Sequence, residues 1–218
     1  MNDLSGLRIQ ALRFDADTMQ VTLANGLRLE PPLTRYPRLQ QATPAQRQAW
    51  QPTADGHGAD WPALVAPVAG EGAGLFNVLD LLWDQRYDHA LHRLHAQQWH
   101  FEALAPEDRE LVALWRMEAD INNGGFMQFL CNWGDATCQC ALQALAAMGA
   151  VRTRESLAGM RGLFDRLEDD PAITSLHDLY GALTEDEQRR LEAFEEAYYA
   201  QPEFLARLGL LHYGPEPG

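Results

Sequence analysis

The order of apolar and polar residues in the first 65 positions predicts a small β-rich module. Apolar and polar side chains alternate from Met19 to Leu23, as in a half-buried strand. A second strand is predicted over 7–14. Asn25-Gly26, followed by another alternating run at 27–30, predicts a hairpin, because both positions of a tight turn need positive φ. Thr43 before Pro44 predicts a capped helix that ends near residue 50, and 51–61 is predicted to be a loop.

After residue 74 the apolar residues recur every three or four positions, which is typical of helices. A stretch rich in small residues and glycine at 69–74 is the predicted linker. The predicted fold class is α+β, with a small N-terminal α+β module that contains a β-hairpin and a larger all-α domain. The predicted boundaries are 1–68 for the module and 75–218 for the acidic helical domain.

The helical region also contains start and stop signals. Asn122-Asn123-Gly124-Gly125 predicts a break, Gly149 a stop, and Thr184 with Glu187 a capping box. The predicted helices are 75–98, as one bent helix or two, then 106–121, 126–132, a helix capped by Asp135 that runs to Met148, a helix capped by Thr153 that runs to Leu167, and a helix from Thr184 to Ala200.

The charge of the chain is strongly acidic and unevenly distributed. Asp and Glu number 31 against 17 Lys and Arg, for a net charge of −14, and every basic residue is Arg. The positions up to Val68 carry six Arg and six acids, whereas those from Ala69 onward carry 11 Arg and 25 acids, so the whole excess is C-terminal. A chain without Lys excludes Schiff-base lysine chemistry and a P-loop lysine. An acidic surface repels nucleic acid and anionic membrane, so we expect neither as a partner.

A motif runs from Glu118 to Trp133, with Asn-Asn-Gly-Gly-Phe at its centre. It resembles the signature of the bacterial DNA-mimic protein family, whose helical domain carries a Glu-x3-Asn-Gly-Gly-Phe-x-Gln pattern, and the likeness extends over about 75–213. The first 65 residues are similar to a small bacterial domain of unknown function that is linked to toxin–antitoxin loci. The Asn25-Gly26 hairpin, the run from Tyr36 to Arg47 and the Gly56 to Pro62 stretch carry that second likeness.

The first resemblance implies a non-enzymatic regulator that imitates DNA and binds a basic DNA-binding protein such as a transcription factor. Rows of carboxylates on helix faces can present charge at a density comparable to that of duplex DNA. The resemblance allows a homodimer. The expected partner-binding acids are Asp165, Glu168, Asp169, Asp170, Glu185, Asp186, Glu187, Glu192, Glu195 and Glu196. Arg161, Arg166, Arg189 and Arg190 interrupt them, and a good mimic must turn these aside.

The motif itself has two interpretations. Its polar side chains could form a recognition site or a hydrolytic pocket with Glu118 as a base. They could instead satisfy free backbone groups at the broken helix ends, which is the interpretation that we favour. The motif residues are Glu118, Asn122, Asn123, Gly124, Gly125, Phe126, Gln128 and Asn132.

Two further groups of residues invite a chemical interpretation. His89, His92 and His95 lie three apart, with Asp84 and Asp88 nearby, but three such steps rotate around a helix, so we expect no metal and no cofactor. Cys131, Cys138 and Cys140 lack paired C-x-x-C spacing, and we expect free thiols in a reducing compartment. The N-terminus lacks the pattern of a signal peptide, and the expected location is the bacterial cytoplasm. An antitoxin or immunity-type protein is the alternative function, and a small metal-dependent hydrolase is a lesser one.

Overall fold

The computed structural model describes residues 2–66, 72, 74–167, 170–200 and 203–215, without the side chains of Leu176, His177 and Tyr180. The chain divides into two compact units, one formed by Met1–Asp84 with Ala206–Gly218 and the other by Gln85–Leu205. The predicted α+β class is confirmed, since small sheets near the N-terminus precede a larger helical region. Most of the predicted linker at 69–74 lies outside the described residues, and the predicted domain boundaries stay predictions.

The first unit contains two antiparallel three-stranded sheets. Strands β1 (Ile9–Phe14), β2 (Met19–Leu23) and β3 (Arg28–Leu29) form one sheet in that order. Strands β4 (Gln51–Pro52), β5 (Gly58–Asp60) and β6 (Phe76–Asn77) form the other. The same unit contains the helices α1 (Pro37–Gln41) and α2 (Pro44–Gln48), the start of α3 (Val78–Ala96), most of α8 (Leu205–Tyr213), and short 3-10 turns at Ser5–Leu7 and Leu33–Arg35.

Alternation in the first sheet produces a buried face and an exposed one. Met19, Val21 and Leu23 are fully buried, while the residues between them are half-exposed. Trp61 completes this core: its ring lies edge-on to Phe14, and its indole N–H donates to the Arg47 carbonyl at 2.9 Å. The N-terminal module is therefore built around a real hydrophobic core.

Two details of the N-terminal prediction are corrected. The hairpin between β2 and β3 forms, but Gly26 is at φ +86° while Asn25 is not at positive φ. Leu23 and Leu27 bracket a three-residue loop that ends in a left-handed glycine, and the predicted two-residue turn is wrong. The predicted loop at 51–61 is also wrong, because β4 and β5 pair there as strands.

The second unit is helical. After α3 comes α4 (Pro106–Met148), which non-helical backbone at Gly124, Gly125 and Gly134 divides into segments 106–123, 126–133 and 135–148. The predicted break and resumption are confirmed. The remaining elements are α5 (Val151–Gly162), α6 (Leu176–Ala182), α7 (Glu185–Ala200) and 3-10 turns at Phe101–Ala103 and Asp165–Leu167. Neither α6 nor α8 was predicted.

Several predicted caps are confirmed and two are wrong. Thr43 and Thr184 each form a capping box, and Gly149, at φ +75°, ends α4 with its N–H on the last carbonyls. Asp135 caps none of the described helices, because its carboxylate accepts from Arg161 instead. Thr153 does not cap α5, since the helix begins two residues earlier. Its N–H and hydroxyl both donate to Glu203, at 2.7 and 2.8 Å. A distant carboxylate thus satisfies the first turn of α5, which no local pattern indicates.

We predict that Glu203→Ala destabilises the protein by about 1–3 kcal/mol, because two donors of a largely buried Thr153 lose their acceptor. Chemical denaturation with urea measures the change. Glu155→Ala, an exposed residue of the same helix, is the matched control and should change stability far less. Equal losses in the two variants would contradict the capping role of Glu203.

Candidate functional site

Two glycines break α4 at the centre of the motif. Gly125 has φ +80° and ψ −179°, a conformation that only glycine adopts readily. The preceding Gly124 has φ −153° and ψ 20°, so the helical hydrogen-bond ladder stops here. The next segment consequently begins with free backbone N–H groups that need an acceptor.

The acceptor comes from α7. The Glu195 carboxylate accepts the Phe126 N–H at 2.7 Å, and a negative charge at this end of a helix is favourable. A Cβ on Gly125 would lie only 2.5 Å from the same carboxylate oxygen. Gly125 therefore supplies both the backbone conformation and the space that this contact needs. In addition, the Tyr199 hydroxyl donates to the Ile121 carbonyl on the other side of the break.

The amides of the motif converge on a carboxylate that the sequence analysis did not single out. Asp120 accepts from Gln128 at 2.8 Å, from Asn132 at 3.0 Å and from the Trp133 indole at 2.5 Å. The Asn123 amide donates to the Gln128 side chain at 3.3 Å. These bonds span the break and join the first two segments of α4. Asp120 lies within the quoted motif, but its partners are 8 to 13 positions away, beyond helical spacing.

The remaining motif carboxylate, Glu118, faces tyrosines. The Tyr87 hydroxyl donates to it, and burial together with the Glu118 charge raises the pKa of Tyr198. Asn122, the residue that spacing places on the same side, is exposed. The bond from Tyr87 gives Glu118 a role in joining α3 to α4.

A buried cation lies beside the same cluster. Arg116 is 6% exposed, and its guanidinium lies 3.9 Å from the centre of the Trp133 ring and 4.8 Å from that of Phe101. Burial lowers the pKa of Arg116, and the nearby Asp120 charge opposes that shift. The aromatic faces compensate part of the lost hydration of this cation.

Three of the expected partner-binding acids form a row on the outer side of α7. Glu185, Glu192 and Glu196 are spaced seven and four apart, which places them on one helix face. All three are exposed, and none bonds to another described residue. We call these three residues the acidic row. Arg189 lies on the same face between Glu185 and Glu192, so a positive charge interrupts the row.

The opposite side of α7 faces the protein. Leu191 is buried, Glu195 binds the helix break, and Phe194 lies so close to α5 that a Cβ on Gly159 would sit 2.4 Å from its ring. Glu187, whose side chain is 16% exposed, accepts two bonds from the Arg166 guanidinium, at 2.7 and 2.6 Å. That pairing, with the Thr184 N–H, lowers the pKa of Glu187 to about 2.

The other expected acids are engaged locally or lie outside the described residues. Asp165 pairs with Arg161, which also binds Asp135, and Asp186 pairs with Arg189 at 3.3 Å. Asp170 is half-buried and accepts the Ala172 N–H at 2.9 Å. Glu168 and Asp169 are outside the described residues. The structure thus brings the acidic row together and uses several other acids in contacts of its own.

The histidines and the cysteines are the remaining candidate groups. Within the described ranges, no three His, Cys, Asp or Glu side chains are grouped so as to hold a metal ion. All three cysteines are free. Burial raises the pKa of Cys138 to about 12 and that of Cys140 to about 11, so neither is a thiolate at neutral pH.

Of the helices described, none combines the length and apolar character needed to cross a membrane.

We predict that Gly125→Ala destabilises the protein more than Gly134→Ala. Both glycines have positive φ with ψ near 180°, where a side chain costs about 1–3 kcal/mol, but only Gly125 faces a carboxylate, whereas Gly134 has open space. Urea denaturation of the two variants isolates the contact with Glu195. Equal destabilisation would contradict that contact.

We predict that the stability lost in Glu187→Gln depends on pH. Because the pKa of Glu187 is about 2 in the folded protein and 4.5 without its partners, its contribution is complete above the higher value and disappears as pH falls toward the lower one. Urea midpoints of wild type and variant should differ at pH 6 and converge as pH falls from 5 toward 3. A difference that stays constant over this range would contradict the pairing. Glu185→Gln, which changes an exposed acid without a partner, is the control.

Comparisons with known proteins match two separate parts of the chain to families. The DMP19-like protein family matches residues 102–213, which include the helix break and the acidic row. A protein family of unknown function (DUF2442) matches residues 9–66, which include the first sheet. No curated protein and no solved structure matches the chain. Since the first match covers more than half of the 218 residues, the chain belongs to the DMP19-like protein family.

Proposed function

We propose that the protein binds a basic DNA-binding protein, such as a transcription factor, by presenting carboxylates in place of DNA phosphates. Membership of the DMP19-like family suggests a DNA-mimic protein, and neither matching family is a known enzyme family. The acidic row is the observation that carries the proposal. Its three exposed carboxylates have no partner among the described residues and remain available to a second protein.

The geometry of the row suits a cationic groove. Residues at helical spacing of four and seven place charges about 6 and 10.5 Å apart along the axis, given a rise of ~1.5 Å per residue. Phosphates of one DNA strand follow one another at about 3.4 Å along the axis, so the row offers a sparser version of that charge. We expect Asp186, which is exposed next to Glu185 on α7, to add to the negative potential.

The exposed acids also explain how binding would begin. Attraction between the net charge of −14 and a basic partner accelerates their encounter. Salt screens this attraction over about 8–10 Å. Glu187 and Glu195 contribute indirectly in this proposal, because their contacts with Arg166 and Phe126 fix the orientation of α7.

The first experiment is capture of host lysate proteins on the immobilised full chain, with elution in a salt gradient and identification by mass spectrometry. A DNA-binding protein that elutes at moderate salt is the expected result. Elution of a small toxin only at high salt would instead support the immunity-type alternative. The proposal would be overturned if no host protein binds and the purified chain instead shows metal-dependent hydrolysis.

We predict that Glu185→Gln/Glu192→Gln/Glu196→Gln weakens binding to the captured partner by about tenfold or more, since hydrogen-bonded charge pairs each contribute about 1.5–3 kcal/mol. The matched control is Asp17→Asn/Asp88→Asn/Glu155→Gln, which removes the same charge from exposed positions outside the row. Isothermal titration calorimetry measures both. Equal weakening would show that net charge, rather than the row, determines binding.

We predict the opposite sign for Arg189→Gln. This substitution removes the cation that interrupts the row, so affinity for the same partner should increase, most strongly at low salt. Arg154→Gln, an exposed arginine of α5, is the control for the change in total charge. Weaker binding of Arg189→Gln would contradict recognition through this face.

A further inference from the structure

The exposed face of the first sheet contains a cavity of about 350 Å³. Side chains alternate along each strand. The residues next in sequence to the buried Leu12, Val21 and Leu29 therefore point to solvent on this face. All three strands contribute to the cavity, and the outward side chains that line it are Ala11, Arg13, Gln20, Thr22, Arg28 and Glu30.

The strand register places short side chains at the centre of the cavity and charged side chains at its sides. Thr22 on the central strand pairs with Ala11 on one side and with Arg28 on the other, while Gln20 pairs with Arg13. The two arginines thus lie on opposite outer strands, with the shorter side chains between them. Long guanidinium side chains from both strands can reach over the same central position.

The charge on this face is unusual for so acidic a chain. Arg13 and Arg28 are exposed, and neither makes an ion pair or a hydrogen bond with another described residue. By contrast, Arg35 in the same unit pairs with Asp84 at 2.9 Å. The two unpaired guanidiniums present planar forks of N–H donors, which suit the oxygens of a phosphate.

The remaining polar groups restrict the ligand further. The Gln20 amide donates one of its two N–H groups to Asp15 at 2.9 Å, and the Thr22 hydroxyl is a further uncharged donor near the centre. Glu30 is exposed at the rim without a bonded partner among the described residues, and a carboxylate there accepts hydrogen bonds from hydroxyls. Two cations and one acceptor fit an organic phosphate that also carries hydroxyl groups.

We propose that this sheet face binds a small organic phosphate, with Arg13 and Arg28 holding the phosphate and Glu30 accepting a hydroxyl of the organic part. Nucleotides and sugar phosphates share this chemistry. The site is in the first unit and uses none of the residues of the acidic row, so it does not depend on the proposed function.

Isothermal titration calorimetry on the full chain at low salt tests the proposal with ADP, glucose 1-phosphate, inorganic pyrophosphate and adenosine as probes. We expect saturable 1:1 binding of ADP or of glucose 1-phosphate, and the tighter of the two identifies the source of the phosphate. Adenosine should not bind, because it lacks the phosphate. Absence of saturable binding by both phosphate esters would overturn the proposal.

Variants separate the site from general charge effects. Arg13→Gln and Arg28→Gln should each weaken binding about tenfold or more, whereas Arg38→Gln, an exposed α1 arginine outside the cavity, should leave it unchanged. Glu30→Gln should tighten pyrophosphate, by removing a like charge, and weaken the hydroxyl-bearing ester. Unchanged melting temperatures show that each variant is folded. An equal loss in Arg38→Gln, or no loss in Arg13→Gln and Arg28→Gln, would contradict the assignment.

Discussion

The contact between the Glu195 carboxylate and the Phe126 N–H is the interaction on which the helical unit depends. A broken helix exposes backbone donors, and an unsatisfied donor in a half-buried position is costly. Here the acceptor comes from a residue 69 positions away, so the same bond that closes the break also attaches α7 to α4. Glycine at position 125 is what lets the carboxylate approach.

Anchoring one side of α7 determines what the other side presents. Leu191, Glu187 and Glu195 face the protein, and helical geometry then directs Glu185, Glu192 and Glu196 outward. Carboxylates of one helix therefore divide between two tasks. Those with an internal cation or N–H hold the unit together, and those without one keep their charge available for a partner.

The sequence predicted what local chemistry determines. The capping boxes at Thr43 and Thr184, the stop at Gly149 and the break before Phe126 each depend on residues within a few positions of one another. The short strands β4 and β5 were missed, since two or three residues carry too little alternation to distinguish a strand from a loop. The capping of Thr153 by Glu203 was missed because its partner is 50 positions away. The same limit applies to the acids: only the folded structure distinguishes Glu187, bound to Arg166, from Glu192, which has no bonded partner among the described residues.

Competition with DNA tests the central claim most directly. The partner captured from lysate is bound to a fluorescent duplex that carries its own recognition sequence, and the full chain is added while fluorescence anisotropy is recorded. A DNA mimic displaces the duplex completely, and the midpoint moves to higher protein concentration as salt is raised. A ternary complex, in which the duplex stays bound at saturating protein, would contradict the account.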